Sequence, residues 1–394
     1  MAVINNPVET IRRSPDNQTV LAKLGLLQDL AGTWQGRGFN LIARPDFQGG
    51  ADLYLQLNQT RETLEIHPIG SAIPNRGFGQ DDIELFGLTY LEKISDVLTG
   101  GALHIEPGIW VTQPATQYPG EIAPQGEQIV ARMASIPHGN AVLAQGTASP
   151  FSGPPTLKTP TAEYAFSLFP SFNSTPFGAA LPPSSPVINA AGSSEKLTAP
   201  AIPPPAGPVA PFTQYDLGTL VSNVNPRTPF GTNDPPLPTS IDGVAMQDVI
   251  NDPITLLQAA IQSQVSQGCT FEGTALNIAT QKQLKFLTQP NQPGGPNVPI
   301  TVPDGAGGIE NILFLEGGEP QGPKGPNAQA AQVYATFWIE KVRTPNGESF
   351  MQLQYAQMTV LNFPILHLLQ AVPPKLVNLG WPHISVATLT KDFF

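Results

Sequence analysis

The five histidines are the side chains in this sequence best suited to binding a metal or moving a proton near neutral pH. His367 lies in the apolar run Ile365-Leu366-His367-Leu368-Leu369 and reads as a packing residue. His67, followed by Pro68, reads as a surface residue at a strand end. His104, in Leu103-His104-Ile105-Glu106-Pro107-Gly108, and His138, which follows Pro137 and opens a strand pattern, are candidates to face an interior. His383 stands apart. Ser385, Ala387 and Leu389 share its face of the last strand, while Ile384 and Val386 take the other. A neutral imidazole projecting from a strand into a cavity, beside small residues, can ligate a flat metal cofactor; the plain alternative is a core histidine.

Other chemistries lack their residues. The sequence has no Walker motif, no glycine fingerprint between a strand and a helix, no H-E-x-x-H and no G-x-S-x-G elbow. Carboxylates are scattered; Asp81, Asp82 and Glu84 read as a solvated strand start, and no His–carboxylate group has metal-binding spacing. Cys269 is the only cysteine, which excludes an internal disulfide and a cysteine-rich metal site. A net charge of −11 argues against nucleic acid, whose phosphates need clustered Lys and Arg. No apolar run approaches the ~20 residues of a membrane span. The start, Met-Ala-Val-Ile-Asn-Asn-Pro, lacks a charged region followed by an apolar one, so a cytoplasmic location is expected.

The elements that must position these residues are mostly strands. The chain has 394 residues, 40% of them apolar, with 44 Pro and 37 Gly marking many turns. Only 12% are charged, against roughly a quarter in an ordinary soluble domain. Residues 14–31 predict a short helix, capped by Asp16, striped by Leu21, Leu24, Leu27 and Leu30, and stopped by Gly32. Thereafter the period becomes two. Leu53, Leu55 and Leu57 alternate with Tyr54, Gln56 and Asn58, and Val333, Ala335, Phe337 and Ile339 fall on one side of a later run. Such runs recur at about 31–44, 82–94, 101–113, 127–134 and 139–147, then at 269–287, 308–316, 331–343, 350–363 and 382–390. About ten strands at hairpin spacing predict a mostly β, antiparallel up-and-down β-barrel with a few short helices.

Between the two groups of strands lies a Pro-rich irregular insertion, densest in Ile202-Pro203-Pro204-Pro205-Ala206-Gly207-Pro208. Proline cannot donate to a sheet ladder, so this stretch is no sheet core. Its aromatics, Tyr164, Phe166, Phe169 and Phe172, suggest a strap packed on the barrel. A helix pair follows at about 243–267, the second helix having Asp252 as cap, Pro253 in its first turn and Gly268 as stop. The organisation read from this is 1–148 as the first part of the barrel, 149–268 as insertion and helix pair, and 269–394 as the second part. Thr33-Trp34-Gln35-Gly36 with Asn40 also echoes Thr270-Phe271-Glu272-Gly273 with Asn277. Either chance or two ancestral half-barrels would produce that echo.

Several of these runs together resemble the nitrobindins, small calycin-type barrels that hold haem b through a histidine on their last strand. The resemblance rests on Leu30-Ala31-Gly32-Thr33-Trp34-Gln35-Gly36 after a helix and on Pro382-His383-Ile384-Ser385-Val386 at the close. His104-Ile105-Glu106-Pro107-Gly108-Ile109-Trp110 is similar to the central strand of that family, and Leu353-Gln354-Tyr355-Ala356-Gln357-Met358 to its penultimate strand. It spans roughly 20–148 and 269–391; the insertion has no counterpart there. The resemblance implies a haem-binding barrel with His383 as iron ligand and Trp34, His104 and His138 as pocket residues. Small-gas, peroxide or peroxynitrite chemistry would then be open to it. The alternatives are a barrel binding a lipid or other apolar small molecule, a cofactor-free enzyme using the same cavity, and an interaction module presenting its Pro-rich strap.

Overall fold

The computed structural model of the chain describes residues 16–46, 51–75, 81–112, 126–157, 186–188, 194–196, 238–280, 308–311, 329–367 and 375–392. Ten long strands form the barrel: β1 (Gly32–Asp46), β2 (Ala51–Pro68), β3 (Ile83–Asp96), β4 (Ala102–Thr112), β5 (Gln128–Ile136) and β6 (Asn140–Ser152) precede the insertion. The others, β7 (Thr270–Ala279), β8 (Gln329–Arg343), β9 (Ser349–His367) and β10 (Lys375–Lys391), follow it. Neighbours in sequence pair antiparallel from β1 to β6 and from β7 to β10. Two further antiparallel seams, β1 with β10 and β6 with β7, join the groups into one closed sheet. This closed antiparallel barrel fits a calycin-like architecture, and both flanks of the insertion build it. The first flank runs on to Ser152, past the expected boundary at 148. The aromatics at 164, 166, 169 and 172 lie outside the described residues.

Strand alternation sorts the apolar residues into two cores. One takes residues from every barrel strand and is therefore the interior; Trp34, Leu64, Leu88, Trp110, Val130, Ala144, Leu276, Phe337, Leu353 and Leu389 belong to it. The other, with Phe39, Leu41, Phe271, Trp338, Met358, Ile384 and Val386, lies on the outside of one wall. There it is covered by α2 (Met246–Asn251) and α3 (Ile254–Ser266), through Ile250, Ile254, Leu257 and Ile261. The predicted face of Val333, Ala335, Phe337 and Ile339 is the inward one, and Ile384 and Val386 do oppose Ala387 and Leu389.

One end of the barrel is plugged. Asp16 caps α1 (Asn17–Leu24) by accepting from Thr19 N at 2.8 Å. A 3-10 turn (Gly25–Leu30) continues it, carrying Leu24, Leu27 and Leu30 into the interior core. Gly32, at φ +137°, then turns the chain into β1, a conformation that an L side chain resists. Asp252 Oδ1 accepts from Ile254 N at 3.3 Å, but the cap position of α3 falls on Pro253, one residue later than expected, and Gly268 (φ +81°) ends the helix. The echoed motifs part company here: Trp34 points into the barrel and Phe271 out of it. Their resemblance in sequence therefore does not make them structural equivalents.

The β6–β7 seam depends on a small residue. A Cβ at Gly146 would collide with the backbone carbonyl of Asn277, which cannot swing aside as a side-chain tip would. Gly146→Ala should lower the urea midpoint, costing about 1–3 kcal/mol as overpacking does. An unchanged midpoint would show that the seam has slack.

Candidate functional site

Inward residues along each strand change character from the end plugged by α1 to the opposite, open one, which no helix of the described residues fills. Trp34 lies at the plug, fully buried, with Nε1 donating to Leu30 O at 2.8 Å and the Lys391 ammonium 5.2 Å above its ring. Trp34 pairs with Lys391, and His383 pairs with Ile42. Eight residues of strand separate these positions, about 26 Å at the usual rise of ~3.3 Å. The structure therefore removes Trp34 from any site at His383. The "Gly-Thr-Trp" opening builds the plug.

Toward the open end lies a layer of buried ionisable groups. Tyr90 and Glu92 come from β3, Glu106 from β4, Arg132 from β5, Glu62 from β2, and Tyr355 and Gln357 from β9. Arg132 is their centre. Its Nη2 is ion-paired with Glu106 and lies 3.8 Å from Glu92. Nε donates to the Tyr90 hydroxyl at 2.8 Å, and Nη1 donates to Gln357 Oε1 at 2.7 Å. The guanidinium also sits 5.3, 5.4 and 5.9 Å from the rings of Phe337, Tyr90 and Trp110, so cation–π attraction replaces part of its lost hydration. The Tyr90 hydroxyl in turn donates to Glu106.

These contacts split the three carboxyls. Burial alone would raise Glu106, but the Arg132 charge and bonds from His104 and Tyr90 outweigh it and hold the carboxyl at about 2. Burial raises Glu92, and the neighbouring Glu106 charge adds to that. Glu62 is pushed up to about 8 by burial and by the Glu92 charge. Its oxygens accept from Thr60 Oγ1 and the Tyr355 hydroxyl, each at 2.6 Å. At neutral pH the ionised Glu106 thus faces the guanidinium, and Glu62 stays protonated.

The histidines stand beyond this layer. His104 Nε2 is 3.3 Å from Glu106 Oε2; burial would lower this imidazole, but the Glu106 bond and the Glu92 and Glu106 charges raise it. Its ring centroid is 5.5 Å from that of His138, whose Nε2 meets Leu103 O at 3.2 Å. His383 faces inward, as the alternation with Ile384 requires. Its Nε2 is buried without a hydrogen-bond partner. Burial, then the positive charges of His104 and His138, push its pKa down to about 3, so it stays neutral. Asn40 Oδ1, on the neighbouring strand, is likewise buried and unpartnered. Asn40 pairs with Ser385, which puts it diagonal to His383 on the inner face. The structure thus gathers His104, His138 and His383 at one end.

The scatter of carboxylates along the sequence is misleading. Residues two apart on a strand share a face, so His104 and Glu106 point together, and pairing sets Glu92 opposite Glu106. One donor atom from each of Glu92, His104 and Glu106 lies within 4.8 Å of the others, a potential metal-binding group. Arg132 already supplies the positive charge there, which weighs against a second cation. Arg132, Tyr90 and Glu62 were missed by motif reading. Their signal was a charged residue on an inward register, as in Leu88-x-Tyr90-x-Glu92-x-Ile94.

The described ends of the insertion lie away from this end. The insertion leaves β6 beside the plug, and its closing helices lie on the outer wall. Among the described residues no helix is long and apolar enough to cross a membrane.

The layer dictates a pH dependence. Glu62 has a folded pKa of about 8 against a reference value of 4.5, so folding loses stability as pH rises through this interval. The Glu340 carboxyl, also pushed up to about 8 by burial, acts in the same sense. His383 opposes them only below its reference value of 6.5. The urea midpoint should therefore fall between pH 6.5 and 8, by on the order of 1 kcal/mol per carboxyl. Glu62→Gln, which retains partners for Thr60 and Tyr355, should shrink the fall. An equal fall in both proteins would contradict this.

No family model matches the sequence, and no curated protein does. Among solved structures the chain matches one titled "Crystal Structure of Rv2717c from M. tuberculosis", with 11% sequence identity and a TM-score of 0.30. The match covers 94% of this chain and 98% of that one, and a likeness at this level carries no argument.

Proposed function

We propose that the open end of the barrel binds haem b, whose iron His383 Nε2 would hold. One observation carries the reading: a neutral imidazole nitrogen is buried inside the barrel with no partner. An orphaned buried polar group costs about 1–3 kcal/mol, which coordination would offset. Neutrality is also what a metal-ligating imidazole requires. Ser385, next inward on the same face, is small, and Asn40 Oδ1 offers a second unpartnered acceptor.

Bound haem would supply reversible binding of small gases or activation of peroxide. The chain's own contribution would be a proton held on His104, which Glu106 keeps basic, close to the His383 side of the mouth. The layer beneath disfavours a lipid: a hydrocarbon tail passing His383 would meet Glu62, Glu92, Glu106 and Arg132, at a large desolvation cost.

Titration of the full chain with haemin tests this. A saturable Soret band at one equivalent is expected. His383→Ala should weaken binding at least about tenfold and move the band, while His138→Ala leaves the cofactor bound. No saturable band rejects haem. An unchanged band in His383→Ala moves the ligand elsewhere.

A further inference from the structure

A cavity lies on the outer side of the barrel wall, between that wall and the helical end of the insertion. It has a volume of about 490 Å³, within the usual range for small-molecule sites. Its lining is rich in uncharged groups that both donate and accept hydrogen bonds. Gln35 (β1), Gln59 (β2), Gln352 (β9) and Gln264 (α3) bring four carboxamides; Thr388 and Thr390 of β10 bring hydroxyls.

Register arranges these groups in rows. Gln352 pairs with Thr390, which pairs with Gln35; Gln354 pairs with Thr388, which pairs with Arg37. At strand spacings of ~4.8 Å this is a ladder of amide, hydroxyl and amide or guanidinium on the outward face. The ladder is held from behind. Gln354 Nε2 donates to Thr388 Oγ1 at 2.9 Å, and Gln352 Nε2 donates to Glu340 Oε2 at 2.6 Å. Gln264 Nε2 donates to Gln352 Oε1 at 2.7 Å, which fixes the helix side of the cavity. Gln354 Oε1 and Glu340 Oε1 are buried without partners beside this lining.

Charge narrows the ligand class. Among the described residues of the lining, Arg37 and Asp242 are the charged ones and cancel, so a charged ligand would meet one like and one unlike group there. A ligand hydroxyl donates and accepts at once, as each carboxamide and threonine does. Leu256, Leu257 and Val386 add an apolar side that the carbon face of a sugar ring can cover. We infer that this cavity is a binding site for a neutral carbohydrate of one or two rings, independent of the barrel interior.

Saturation-transfer NMR on the full chain, with glucose, galactose, maltose and cellobiose as probes, tests the inference. At least one sugar should receive saturation, with a titration that saturates. Ala260→Trp should abolish the signal by filling the cavity, since Ala260 lines it. Gln35→Ala with Arg37→Ala, both exposed positions, should weaken it at least tenfold; this variant decides if the tryptophan impairs folding. Absence of transfer to all four sugars overturns the inference. So does a signal that survives the double variant, or one displaced by sodium acetate, which would assign the cavity to anions.

Discussion

A guanidinium sealed inside a β-barrel is the constraint on which the inner architecture depends. Arg132 is almost wholly buried, and the lost hydration is recovered only if its geometry is nearly complete. Glu106 supplies the counter-charge, Tyr90 and Gln357 take donors, and Trp110 and Phe337 offer their rings. Removing the arginine would strand Glu106 as a buried, unpaired charge. The same arrangement determines what Glu62 and Glu92 can do, since one cation cannot hold three carboxylates ionised. His104 inherits its basicity from Glu106. The chemistry available at the open end is therefore set one layer below it.

The barrel is polarised from end to end, and strand alternation transmits that polarity. The leucines of the N-terminal plug and Trp34 seal one end with hydrocarbon. Further along the same strands, inward positions pass through aromatic residues to ionisable ones and finally to histidines. A packed apolar end can anchor the sheet while the other end tolerates unpartnered groups such as His383 Nε2 and Asn40 Oδ1. Stability and binding capacity are thereby separated along one axis.

What the sequence reveals follows from range. Local patterns were legible: the cap at Asp16, the stop at Gly268, the faces of 333–339 and 383–389, and the barrel class itself. These depend on residues a few positions apart. The ionisable layer was not legible, because Arg132 meets Gln357 and Tyr355 meets Glu62 only after register is fixed between distant strands. Trp34 shows the complementary error. Its type and position suggested a pocket, but its neighbours, Leu24, Leu27 and Leu30, are those of a plug. The even spacing of Leu88, Tyr90, Glu92 and Ile94 did hold information, since a charge on a buried face needs a partner.

Strand β10 serves both candidate sites. His383 and Ser385 point toward the barrel mouth, while Val386, Thr388 and Thr390 line the outer cavity. A slip of one residue against β1 or β9 would exchange these sets, putting threonines inside and the histidine under the helices. Two features oppose that slip. A Cβ at Gly36 would strike the Thr388 carbonyl, so this close approach is tuned to one pairing. Gln354, bonded to Thr388 and to Leu257 O, ties the register to α3. The helix layer thus has a role that its distance from the mouth conceals: by gripping the outward residues of β9 and β10, it fixes which residues face inward, His383 among them.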